Sequence, residues 1–436
     1  MLFDLIALLI TLAALFSYVN ARHFNLPSTI GVLVIALLLS IAVSVLGELG
    51  VQVVRTSAVS MLSRIDFNQL LLHGLLAYLL FAGGLNLKIR QLSNEKIAVA
   101  LLSTLGVVIS TAVVGAGLWL LLGLVGLQIS LIGAFLFGAL ISPTDPVSVL
   151  AILRTLTVPP AIEAQIAGES LFNDGIGAVV FMVLLGVAAS PTSVGAFEVA
   201  RLLATEAFGG IAFGLIAGFL TYLLLARIDD YKIEILLTLA LATGGYALAD
   251  WLGVSAPIAV AVAGLLIGNE GRASAMSETT RTHIDIFWEL VDEILNAILF
   301  LLIGAQLLVI PLGKSNLIAA LMAVPLTLFA RFISVALPIS MLRLFRRFER
   351  GTIPVLTWCG LRGGISVALA LSVPQSDYRG AIIVMTYAVV IFSIIVQGLT
   401  IRAVILRTVP AMKREHQRTE TAEATEPSDA GGVQTS

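Results

Sequence analysis

The stretch GESLFNDGIG, residues 168–177, sets Glu169, Ser170, Asn173 and Asp174 inside a run that is otherwise apolar enough to cross a membrane. A carboxylate at bilayer depth costs about 3 kcal/mol or more, so an ionisable residue there marks a functional site. On a helix, Ser170 and Asp174 stand four apart on one face. Glu169 and Asn173 form a second row about 100° round it. The first row is expected to hold something, and the second to hold the first row still.

The rest of the chain supports an all-α polytopic membrane protein. Its 436 residues are 58% hydrophobic and 12% charged, with a mean hydropathy of +1.04. A soluble domain carries about 25% charged residues, so half that content leaves most of the surface facing lipid. A net charge of −2 with no basic tract gives no nucleic-acid signal. The single cysteine, Cys359, excludes an intrachain disulfide, and no Cys/His cluster points to zinc. No cofactor is expected. Met1 to Asn20 carries Asp4 where a signal peptide has basic residues, and is read as a retained first membrane helix.

Apolar segments near 20 residues are spanning candidates. They fall at about 2–20, 29–47, 67–87, 97–122, 130–154, 164–189, 204–226, 233–250, 254–269, 287–310, 316–341, 352–373 and 379–403, which makes thirteen. The segment 411–436, polar and aperiodic, is expected to be a disordered cytoplasmic tail. Loops on one side carry 18 of the 25 Lys and Arg residues and loops on the other carry 5, with Arg331 and Arg362 inside spans. Positive charge collects on the cytoplasmic side, which puts the N-terminus outside and the C-terminus in the cytoplasm of a cell (plasma or inner) membrane.

Two further spans break the rule of apolarity. The fifth contains SPTDP, residues 142–146, in which Pro143 and Pro146 bracket Thr144 and Asp145. Each proline removes a helical N–H and disfavours helix at its predecessor, so the carbonyls of Ala139 and Ser142 are expected to lose their partners. Opened backbone at membrane depth is tolerated where it is buried in protein or lines a wet cavity. Freed carbonyls, a hydroxyl and a carboxylate make an oxygen-rich site for a hard cation. The twelfth span contains GLRGGISVALALSVP, residues 360–374, with Arg362 among Gly360, Gly363 and Gly364. Its expected partner is Glu169, in a structural ion pair. Spans five and twelve run in opposite directions, and paired interruptions of this kind mark an inverted-repeat transporter with its site at the midplane. The halves would be residues 1–189 and 233–403, joined by a linker helix at 204–226. Glu289, Asp292, Glu293 and Asn296 open span ten and are read as solvated near the cytoplasmic surface, with one of them a candidate partner for Arg331. The four histidines, His23, His73, His283 and His416, are scattered near span ends or in the tail.

With SPTDP, GESLFNDGIG, FWELVDEILNAILFLLIGAQL (287–307) and GLRGGISVALALSVP in this order, the chain resembles the monovalent cation:proton antiporter-1 family, the NhaP-type sodium/proton exchangers. The resemblance implies a homodimer of thirteen-helix subunits, in which a core domain moves against a dimerisation domain. It makes Asp174 the carboxylate that takes either a proton or Na+. Ser170 and the Thr144 backbone become further oxygen ligands, Asn173 and Asp145 support the site, and Glu169 pairs with Arg362. Relatives carry a further acid in span three, where this chain has Ala82, with Asn86 one turn along.

A buried carboxyl has a raised pKa and a neighbouring cation lowers it, so one carboxylate can alternate between proton and ion. Residues and resemblance together predict a secondary antiporter, not an enzyme, exchanging Na+ or Li+ for H+ one for one. An exchanger of K+ or of mixed cations is the nearest alternative. An intramembrane aspartyl hydrolase using Asp145 and Asp174 lacks a Gly-x-Gly-Asp pattern. A channel or sensor on a transporter scaffold is a further alternative.

Overall fold

Backbone in hydrocarbon must satisfy its own hydrogen bonds, which leaves the helix as the element these apolar runs can form. A computed structural model describes residues 2–50, 52–62, 69–154, 156, 158–189, 196–310 and 313–409, and the described residues are helical or connecting, without a strand. The expected tail at 411–436 lies outside them.

The chain opens with α1 (Leu2–Val19), α2 (Ser28–Glu48), α3 (Gln52–Leu62), α4 (Leu76–Asn86), α5 (Ile89–Ser103) and α6 (Leu105–Leu124). It continues through α7 (Leu131–Leu140), α8 (Val147–Arg154), α9 (Pro160–Ala189), α10 (Ala196–Leu225), α11 (Tyr231–Trp251) and α12 (Ala256–Leu266). The last third holds α13 (Glu278–Gln306), α14 (Lys314–Leu342), α15 (Thr352–Trp358), α16 (Gly364–Ser372), α17 (Arg379–Phe392) and α18 (Gly398–Thr408). Among the described residues, eight helical stretches are long and apolar enough to cross a membrane, and α4 and α7 are shorter apolar helices.

Two helices outrun the apolar segments that foretold them. The span expected at 97–122 belongs to a 36-residue helical stretch from Ile89 to Leu124, bent at Thr104, whose hydroxyl donates to the Ala100 carbonyl at 2.6 Å. At 1.5 Å per residue such a stretch runs about 54 Å, well beyond a hydrocarbon layer of about 30 Å. Its charged start, with Arg90, Glu95 and Lys96, therefore lies outside the layer. Likewise α13 starts nine residues before the expected 287, where the Ser277 hydroxyl caps it by accepting the Thr280 N–H at 3.3 Å. An ion pair between Arg272 and Asp285 holds that polar beginning.

The site helix α9 lies at the centre, packed against α5 and α7 and touching α10, α12, α15 and α16. On the other side, α13 packs on α1, α2 and α11. Trp288 anchors α13: fully buried, it stands 4.7 Å from the Phe81 ring and donates its indole N–H to Thr238 at 3.0 Å. Where α5 meets α9, the buried Glu95 accepts from the Gln165 amide at 2.7 Å and pairs with Arg346 from the connection after α14. Arg346 is 41% exposed, so water screens part of this pair. Arg346→Ala is expected to cost about 1–3 kcal/mol, because Glu95 then stays buried without its charge partner. Adding Glu95→Gln should recover part of the loss, read as the melting temperature in detergent. A wild-type melting temperature for Arg346→Ala would show that the pair contributes nothing.

Candidate ion-binding site

Helix α7 ends at Leu140 and α8 starts at Val147, while α15 ends at Trp358 and α16 starts at Gly364. The two intervening segments are stitched to each other. The Asp145 N–H donates to the Leu361 carbonyl at 2.8 Å. In return the Arg362 guanidinium donates to the carbonyls of Ser142 and of Pro143, the latter at 2.9 Å. The Arg362 backbone N–H is taken by the Ser393 hydroxyl at 2.9 Å, which itself donates to Gln397 at 2.7 Å. The approach is close enough to require glycine at 363, where a Cβ would fall 2.5 Å from that of Asp145.

This arrangement corrects the expected pairing of Glu169 with Arg362. Glu169 pairs with Arg331 of α14, through both carboxylate oxygens, one of them at 3.0 Å. Arg331 also donates to the Leu356 carbonyl at 2.9 Å, so one guanidinium joins α9, α14 and α15. Its crowding explains Gly360, where a Cβ would sit 2.2 Å from Arg331 Nε. A span-ten acid is therefore not the partner of Arg331. The physical reason lies in Pro146, which deprives the Ser142 carbonyl of its helical donor. A carbonyl stranded at that depth needs a strong replacement, and a guanidinium fork supplies one. The expected free carbonyls are accordingly not free: Ser142's accepts from Arg362, and Ala139's accepts the Ser142 N–H at 3.2 Å.

Thr144 is clamped from α9. Its hydroxyl lies 2.9 Å from that of Ser170 and accepts from the Asn173 amide at 2.8 Å, while its N–H donates to Asn173 Oδ1 at 3.2 Å. Asp145 accepts the Val147 N–H at 2.9 Å and so starts α8. Asp174 is different. It is buried, and among the described residues no hydrogen bond to its carboxylate is seen, while Asp145 and Arg362 lie in electrostatic reach. No hydrogen bond joins it to Asp145, as a proton-sharing hydrolase dyad would require.

Asp174 lines a cavity of about 380 Å³ that also reaches Thr144, Asp145 and Gly363. The α9 wall is formed by Glu163, Ala164, Ala167, Leu171 and Asp174, whereas Ser170 and Asn173 are turned to Thr144 and lie outside the wall. The expected ion-facing row of Ser170 with Asp174 is thus split: Ser170 joins Asn173 in holding Thr144. From α4 the cavity takes Gly83 and the exposed Asn86, while Ala82 is buried away from it. Glu289, Asp292, Glu293 and Asn296, read from sequence as merely solvated, line the cavity's α13 side. Their spacing of three and four places them on one helical face, and that was the available signal.

Residues 8–407 match the family described as sodium/hydrogen exchanger, transmembrane. Over 408 residues the chain is 46% identical to the Na(+)/H(+) antiporter NhaP of Pseudomonas aeruginosa, covering 93% of this chain and 96% of that one. It is 38% identical over 368 residues to the low-affinity Na(+)/H(+) antiporter NhaS1 of Synechocystis, covering 81% and 67%. The solved structure of the sodium proton antiporter MjNhaP1 from Methanocaldococcus jannaschii at pH 8 superposes with a TM-score of 0.74 at 21% identity, covering 94% of this chain and 99% of that one, which establishes the antiporter fold. The chain belongs to the sodium/hydrogen exchanger family, whose members are transporters rather than enzymes.

Removing one partner of a buried ion pair costs about 3–5 kcal/mol, because the other charge is left uncompensated. Glu169→Ala and Arg331→Ala are each expected to destabilise strongly. The double variant should recover about 1–3 kcal/mol relative to their sum. Melting in detergent tests this, and strict additivity would remove the pair from the account.

Proposed function

We propose that this protein exchanges Na+, and Li+ by the same chemistry, for H+ across a cell membrane, by competition at Asp174. The observation that carries the reading is a buried carboxylate with no hydrogen bond among the described residues, lining a cavity together with Thr144 and Asp145. A carboxylate so placed is either protonated or neutralised by a cation, and each state excludes the other. Asp174 is the exchanging group, and Asp145 and Thr144 offer the neighbouring oxygens on the same side. Ser170 and Asn173 act by holding Thr144 in place, and Glu169 with Arg331 fixes the register of α9. Arg362 keeps the opened backbone satisfied, leaving the ion the side-chain oxygens.

The same reading takes thirteen spans, two inverted halves at 1–189 and 233–403, an outside N-terminus and a cytoplasmic C-terminus. The cavity supports this orientation, since its lining includes the exposed Lys88 of the Lys/Arg-rich side. The functional unit is read as a homodimer. No cofactor takes part, and Na+ is cargo.

Asp174→Asn is expected to abolish Na+-driven proton movement in proteoliposomes containing a pH dye, and retained exchange would displace Asp174 from the centre. With one exchanging carboxylate per transit, no net charge moves. The rate should therefore stay unchanged when a K+ diffusion potential is imposed with valinomycin. A rate that follows the potential would mean that a second group, Asp145 first, titrates within the cycle.

A further inference from the structure

Two buried oxygens in the cavity wall, Asn296 Oδ1 and Ser366 Oγ, have no hydrogen-bonding partner among the described residues. The residues are 2% and 1% exposed. A buried polar atom left unpaired costs about 1–3 kcal/mol. Such atoms are rare in native proteins and call for an explanation. For Asn296 the orientation is determined by its neighbours. Its Nδ2 donates to the Asp292 carbonyl at 2.8 Å and to Asp292 Oδ1 at 3.1 Å. Turning the amide over would set Oδ1 against two oxygens, so Oδ1 is the atom left over.

Its place on α13 is equally defined. Glu289, Asp292, Glu293, Asn296 and Leu299 recur at three- and four-residue steps and all line the cavity. At the inner end of this stripe Leu299 lies against Gly364, where a Cβ would come within 2.4 Å of it. The preceding residue, Gly363, abuts Asp145. Asn296 therefore stands one turn from the point where α13 meets the second break, on the face turned to the cavity that holds Asp174. Ser366 follows Gly364 by two residues and lines the same cavity, its hydroxyl oxygen buried and without a partner among the described residues.

Asp174, Asp145 and Thr144 all belong to the first break and its clamp. A cation in the cavity also needs oxygens from the facing wall. Of the α4 residues that line the cavity, Leu76, Leu79, Leu80 and Gly83 carry no side-chain oxygen, while Asn86 is exposed at the helix end. We propose that Asn296 supplies one: its amide oxygen ligates the cation from α13, across the cavity from Asp174, and its fixed reach decides which alkali ion is held best. Ser366 completes that wall. The inference rests on the reading of Asp174 as the exchange site and extends it to the opposite helix. Because an amide carries neither charge nor a titrating proton at working pH, the added ligand leaves the one-for-one count intact.

The test is cation dependence of exchange in proteoliposomes, with Na+ and Li+ separately, for the full chain and for Asn296→Ala and Asn296→Ser. Asn296→Ala is expected to raise the cation KM by about fivefold or more, as for a lost neutral contact worth about 1 kcal/mol. Its maximal rate should stay within about twofold, since binding rather than transit is touched. Asn296→Ser, which keeps a shorter oxygen, should fall between, and the Na+ and Li+ constants should shift by different factors. Wild-type KM values for both ions would overturn the proposal, as would a lowered maximal rate at unchanged KM. Failure of both variants to yield monodisperse protein would also overturn it, by assigning Asn296 a structural part. Asp174→Asn measured alongside separates the two levels. Exchange surviving in that variant rejects the Asp174 reading, whatever Asn296 does.

Discussion

The fold turns on a guanidinium that replaces missing backbone donors. Pro143 and Pro146 lie in the non-helical segment between α7 and α8, and a carbonyl left unsatisfied in hydrocarbon costs several kcal/mol. Arg362 meets that cost from a second opened segment 219 residues away, donating to the carbonyls of Ser142 and Pro143. The Asp145 N–H returns a bond to Leu361. Each opening thus answers the other's backbone. Neither segment could be straightened or removed without stranding polar groups in its partner, so the crossing point is determined by both together.

A second constraint follows from the first. Once the broken backbone is satisfied internally, the side chains around it divide by task. Asn173 and Ser170 converge on Thr144, and Glu169 reaches Arg331 behind them. Among the described residues Asp174 is left without a hydrogen bond, lining the cavity. A carboxylate saturated with donors would stay ionised and unavailable to a proton. A carboxylate deprived of donors but given a cavity can respond to whatever enters. The many hydrogen bonds at this crossing therefore serve to keep one group without any.

Much of this is legible in the residues themselves. Apolar length and scarce charge give the helices, and proline pairs and glycine clusters give the two openings, because these signals are local. The ion-pair partner is not local. Glu169 and Arg331 are 162 residues apart, and a reading of the sequence assigns Glu169 to Arg362 and Arg331 to a span-ten acid. What separates the two arginines is the demand of the Ser142 and Pro143 carbonyls, which appears only when the two breaks are seen to touch. Ser170 shows a second limit. Helical spacing places it beside Asp174, but whether its hydroxyl faces the cavity or the neighbouring threonine depends on where Thr144 lies. The α13 stripe shows a third. Its acids look like an ordinary solvated helix start until they prove to line the same cavity as Asp174.

The solitude of Asp174 has a thermodynamic consequence. On the one-for-one reading, the electrical part of the proton motive force does no work on the cycle, and only the difference in pH drives it. A tenfold proton gradient, about 1.4 kcal/mol, then sustains at most a tenfold sodium gradient. Such a device vents sodium when the outside is acid and runs backward, importing it, when the outside turns alkaline. A cell relying on it for sodium extrusion in alkaline surroundings would need a second, voltage-driven pump.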